Sequence, residues 1–106
     1  MTDYSPLSLS TGRDGVKRGS FTYEGHEVRV AVQATDGGRY NLVRACSDTH
    51  AAFGRVLGAV GVLRQEGVGR YHLSQSGGAD AGYVDRGTVA DLAERLVRYA
   101  ATSKVG

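Results

Sequence analysis

The run "SFTYEGHEVRVAVQ", residues 20–33, constrains this chain more than any other stretch, because its apolar period is unambiguous. Phe21 and Tyr23 alternate with small polar residues, Glu24-Gly25-His26 supplies a turn, and Val28, Val30 and Val32 alternate with Arg29, Ala31 and Gln33. Apolar residues at every second position send one face of an extended strand into a core, so the run is a β-hairpin with one apolar face. Asp36-Gly37-Gly38 is a further turn signal and "RYNLVRAC" a third β-rich run, which extends the hairpin to an antiparallel meander.

From Ser47 the period changes. Ser47 or Asp48 can cap a helix whose apolar positions Phe53, Val56, Leu57, Val60 and Leu63 recur at spacings of three and four. That helix would contain Gly54, Gly58 and Gly61, each costing about 1 kcal/mol relative to Ala, against a domain stability of about 5 to 15 kcal/mol. A cost of that size asks for a reason. With Ala51 the glycines fall on one face, which would let another backbone approach closely, whether the sheet, a second helix or a partner subunit. Gly54, Gly58 and Gly61 are therefore the candidate partner-binding residues. The competing reading stops the helix near Gly58 and folds "AVGVLRQEGVGRYHLS" into a hairpin around Glu66-Gly67.

"GRYHLSQ" alternates Tyr71 and Leu73 and reads as a strand with His72 outward; "SGGADAG" reads as a flexible loop and "YVD" as a further short strand. Thr88 caps a C-terminal helix in which Val89, Leu92, Leu96 and Tyr99 make one apolar stripe, with Asp91–Arg95 and Glu94–Arg98 pairs on a solvated opposite face. The expected fold is α+β, an antiparallel sheet of four to five strands, meander first, with two helices packed on one face. Residues 1–15, with "LSLS" as a short edge strand, read as a mobile N-terminal segment, and residues 16–106 as a single α+β domain.

At 106 residues such a domain buries roughly two-thirds of its unfolded surface and needs no disulfide or metal to fold. One cysteine cannot close an intramolecular disulfide, and "MTDYSPLSLS" has neither a basic start nor an apolar core, so the expectation is a cytoplasmic protein. The longest mostly apolar run, "AAFGRVLGAVGVL", contains Arg55 and is shorter than the roughly 18 residues of a membrane span, so no membrane partner is expected. Net charge is +2, with both signs spread along the chain and no basic arm or acidic tail. Arginine outnumbers lysine eleven to two while Ile is absent, a usage that GC-rich coding imposes, so the arginine count alone is weak evidence for phosphate recognition.

The stretch "CSDTH" puts the lone Cys46 four positions from His50. A thiol at a helix start is activated, but a nucleophile also needs a base within about 3.2 Å, and nothing in the spacing guarantees that His50 faces the sulfur. A buried structural cysteine is the preferred reading, with an enzyme or small-ligand site around Cys46 and His50 as the outlying one. Cys46, His26, His50 and His72 are too scattered for a zinc site, and no cofactor is expected. "ATDGG", "EGVGR" and "SGGADAG" match no phosphate-loop pattern, and Asp85 has no partner that would make it a general base.

A meander puts Arg18, Arg29 and one of Arg39 and Arg44 on the sheet face away from the helices, an arrangement that could bind single-stranded nucleic acid. With Phe21 and Tyr23 in the core, however, that face reads as basic but poor in rings. The functional expectation is thus a small non-catalytic binding or regulatory module working through protein–protein contact, with a homodimer as one form it could take; the nucleic-acid reading through Arg18, Arg29, Arg39 and Arg44 is the alternative.

Overall fold

The computed structural model describes residues 7–76, 80–84 and 86–105. Its strands are β1 Ser10–Thr11, β2 Lys17–Tyr23, β3 His26–Thr35, β4 Tyr40–Cys46, β5 Gly58–Gly67, β6 Arg70–Gln75 and β7 Asp80–Val84, followed by one helix, α1 Val89–Val105. Every strand pairs antiparallel with its neighbour in the chain, so the seven lie in sequence order. The class is α+β and the meander is present. Among the described residues the expected four to five strands become seven, and the expected two helices become one α-helix.

The valine alternation sets the inner face. Phe21 pairs with Val28, Gly19 with Val30 and Lys17 with Val32; Val30 and Val32 continue across to Ala45 and Val43. Val28, Val30, Val32 and Val43 are buried together with Leu63, Leu73, Leu92, Leu96 and Val97, so the strands' inner face and one side of α1 share a single core. The β2–β3 turn has Glu24 at φ 51° and Gly25 at φ 79°, the two left-handed residues that a two-residue hairpin turn needs to match strand twist. Glycine accepts that conformation freely, whereas Glu24 holds it at a cost of about 1–3 kcal/mol.

The helix expected over residues 47–63 does not form. Its cap does: Ser47 Oγ accepts the His50 N–H at 3.2 Å, and the Phe53 N–H reaches His50 O at 3.2 Å to complete one turn. The chain then returns, with the Ser47 N–H donating to Gly54 O at 2.9 Å. From Gly54 to Leu63 three glycines and three valines occupy ten positions, a composition that disfavours helix on both entropy and branching and suits a strand. The competing hairpin reading describes this region, as β5 and β6. The spacing of three and four that suggested a helix is coincidental, and Val56 and Leu57 are exposed.

A bulge in β5 rescues its core face. Val43 pairs with Gly61 but Arg44 with Ala59, leaving Val60 as the extra residue, and both Val60 and Gly61 are buried. Gly61 is where the close approach occurs. A Cβ there would stand 2.3 Å from Ser74 O and 2.8 Å from a Leu96 methyl, so the missing side chain is what lets α1 settle onto β5.

At the helix start, Thr88 Oγ1 accepts the Asp91 N–H at 3.2 Å, as its sequence implied. The buried side of α1 is Leu92, Ala93, Leu96, Val97, Ala100 and Ala101, while Tyr99 is exposed, so the apolar stripe lies one step round from the expected one. The opposite face is not uniformly solvated either. Glu94 is buried, accepting the Leu7 N–H at 2.6 Å and Arg98 Nε at 2.9 Å, whereas no Asp91–Arg95 pair forms. Leu7 is itself buried, and Ser10–Thr11 pairs with Lys17 and Arg18 at the sheet edge.

These contacts separate the three glycines sharply. Gly61→Ala should lower unfolding free energy in urea by about 1–3 kcal/mol, the usual cost of overpacking, because the obstructing atom is backbone. Gly58→Ala, whose Cβ would meet nothing nearer than Val56 O at 3.8 Å, should leave the urea midpoint within experimental scatter.

Candidate functional site

Ser47 organises the stretch that holds Cys46 and His50. Its hydroxyl donates to Glu27 O at 2.8 Å while accepting the His50 N–H, which fixes the loop against β3. His50 Nδ1 accepts the Ala52 N–H at 3.1 Å, so the proton sits on Nε2, which donates to Glu24 Oε1 at 2.8 Å. The imidazole is buried among the rings of Tyr23, His26 and Phe53. With both nitrogens engaged and Cys46 absent from its contacts, His50 latches the loop to the β2–β3 turn and has no lone pair left for a thiol. Cys46 is buried and free. Among the described residues no three His, Cys, Asp or Glu side chains cluster as metal ligands, and Asp85 lies outside the described residues.

Gly54, Gly58 and Gly61 do not form a shared surface, because the helix that would have aligned them is absent. Gly61 is buried beneath α1. Gly54 and Gly58 instead border a half-open cavity of about 320 Å³ with Phe53, Gln75, Ser76 and Ala100, at the end of the sheet where the 47–57 loop passes α1.

The four arginines fare differently from one another. Arg18 binds both oxygens of Asp14, at 2.8 and 3.2 Å, and holds that carboxyl down at about 2. Arg29 donates to Asp48 Oδ1 at 3.2 Å and to Arg55 O at 3.4 Å, tying the 47–57 loop to the outward face. Arg39 lies in the β3–β4 connection, its carbonyl accepting the Gln65 N–H. Arg44 projects outward from β4 and, among the described residues, has no acidic partner.

Register places Arg44 on a surface that no helix covers. Residues directly opposite across antiparallel strands share a face, so the outward side can be read row by row. Arg18, Ala31, Arg44 and Ala59 form one row; Gln33, Leu42, Val62 and Ser74 form the next; Thr35, Tyr40, Arg64, His72 and Tyr83 form the third. In that third row Tyr40 is 37% and Tyr83 56% exposed. The His72 and Tyr83 rings lie 4.5 Å apart at 31°, and the Arg70 guanidinium sits 5.4 Å from the Tyr83 centroid. Arg64 closes on Glu66 through Nε at 3.0 Å and Nη2, which together with the neighbouring Tyr83 and Tyr40 raises its pKa.

The outward face is therefore not poor in rings. His72 was assignable as an outward residue from its own strand, but Tyr40 and Tyr83 become its row-mates only once β4, β5, β6 and β7 are in register. The signal available in the sequence was parity: Asn41, Val43 and Ala45 inward leave Tyr40, Leu42 and Arg44 outward. No protein-family model, no curated protein and no solved structure matches this chain.

Two measurements check this geometry. The Asp14 carboxyl, followed by NMR, should titrate at about 2 and rise toward, without fully reaching, its ordinary value of 3.8 in Arg18→Gln, because the Val16 N–H still donates to it. Because the folded value is depressed, this pair supports the fold above the ordinary carboxylate range and ceases to do so as pH falls through about 2. The Cys46 thiol should react with a disulfide reagent at least tenfold more slowly in native protein than in urea-unfolded protein; equal rates would contradict its burial.

Proposed function

We propose that this chain is a non-catalytic binding module and that the open face of the sheet is the surface it works with. What supports the reading is the uncovered row of Tyr40, Arg64, His72 and Tyr83 beside Leu42, Val62 and Arg44. Among the described residues one α-helix lies on one side of the sheet, and the other side, beyond the 47–57 loop, presents tyrosine and arginine, the residue types that carry most energy at recognition surfaces. The row draws on four strands, which suits a macromolecular occupant better than a small metabolite. Contact through this face replaces the glycine-lined helix as the route to a partner, including a second copy of the chain.

The test compares faces. Wild type, a Tyr40→Ala/Tyr83→Ala variant of the sheet face and a Tyr99→Ala variant of the exposed helix side are each recovered from the native host with whatever accompanies them, and their self-association is measured by sedimentation. All three should fold alike, since the altered rings are exposed. The expected result is a partner, or a dimer, kept by Tyr99→Ala and lost by the sheet-face variant. Equal retention by both variants would refute the proposed surface.

A further inference from the structure

Resting on that reading of the open face, we infer that its occupant is single-stranded nucleic acid, stacked on the Tyr40–Tyr83 row. A protein occupant wants exposed aliphatic surface at the centre of its footprint. Here Leu42 and Val62 are only half exposed, and the exposed aliphatic residues Val56, Leu57 and Val68 lie in loops beyond the strand ends. Exposed on this face are Tyr40, Arg44, Arg70 and Tyr83, while Arg64 and His72 are half-buried like Leu42 and Val62.

That combination is what a single strand requires. Bases without a complementary strand stack on aromatic rings whatever their identity, and the phosphates between them are neutralised by arginine. Tyr40 and Tyr83 are three strand spacings apart in the same row, about 14 Å at 4.7–4.9 Å per strand, with Arg64 and His72 between them. Antiparallel sheets that read RNA seat two or three bases on their rings, and this row offers a comparable span. Arg44 lies four residues along β4 from Tyr40 on the same face, two rows over, and Arg70 stands over the Tyr83 ring at the row's other end. Glu66 on this part of the face is held by Arg64, and Asp80 pairs with Ser74 in the row beside it. Arg18 and Arg29, already bound to Asp14 and Asp48, lie at the far side of the sheet from Tyr83.

The experiment is fluorescence anisotropy with labelled ten-nucleotide dT and rU strands and a ten-base-pair duplex, at 50 and 200 mM salt, on the full chain. We expect both single strands to bind and the duplex to bind more weakly, because its bases are already stacked. Tyr40→Ala and Tyr83→Ala should each weaken binding about tenfold, while Tyr99→Ala leaves it unchanged. Two phosphate contacts, from Arg44 and Arg70, with Arg64 held by Glu66, should give a loss of about 7-fold over the fourfold rise in salt, at a slope of about 0.7 per contact. The relative affinities of dT and rU decide whether the strand is DNA or RNA. No anisotropy change at 100 µM protein in 50 mM salt, or equal weakening by Tyr99→Ala, overturns the inference. If oligonucleotides fail to bind while a host protein is still lost from the Tyr40→Ala/Tyr83→Ala variant, the contact surface stands and its occupant is a protein.

Discussion

Leu96 resting on Gly61 is the contact on which the rest of the architecture depends. It brings α1 down onto β5 and β6, so that Leu92, Ala93, Val97, Ala100 and Ala101 close over Val30, Val32, Val43 and Leu73 as one core. The helix is small-residue-rich where it meets the sheet and the sheet is side-chain-free where Leu96 lands. Close seating of this kind gains dispersion and excludes water without requiring a second helix. Among the described residues no helix lies on the other side of the sheet.

Much of this was legible in advance, and what was not had identifiable physical causes. The β2–β3–β4 meander followed from the alternation of Val28, Val30 and Val32, because period two admits no other regular structure. The C-terminal helix followed from the Thr88 cap. The region from Ser47 to Leu63 misled because a true cap signal at Ser47 is followed by apolar residues at helical spacing, while the information against helix sat in the glycines and valines themselves. Treating three glycines as a reason for close packing was sound at Gly61 alone, where the neighbour is α1 from within the same chain. Tyr99 and Glu94 show the limit of a helical stripe: rotation by one position exchanges which of them is covered, and the sequence leaves that rotation open.

The site was harder to read than the fold. A sheet surface is assembled from residues far apart in the chain, and Tyr40, Arg64, His72 and Tyr83 come from four different strands. Each bulge flips parity beyond it, and the bulges in β5 and β7 were invisible to alternation counting. Cys46 and His50, by contrast, are close in sequence and do not meet. Burial of Cys46 is the ordinary fate of a free cysteine, and the imidazole is consumed by Ala52 and Glu24. The left-handed backbone at Glu24 acquires a reason here, since that turn places its carboxylate against the loop.

The order of elements also bears on how the molecule is made. The seven strands precede α1, and each bonds only to the strand before or after it, so a ribosome delivering this chain can zip the meander together before α1 exists. During that interval the greasy underside, from Phe21 through Leu73, is wet on a nearly complete sheet. Nascent molecules therefore pass through a stage with two bare surfaces, and the arrival of the last residues removes the one that would otherwise invite clumping.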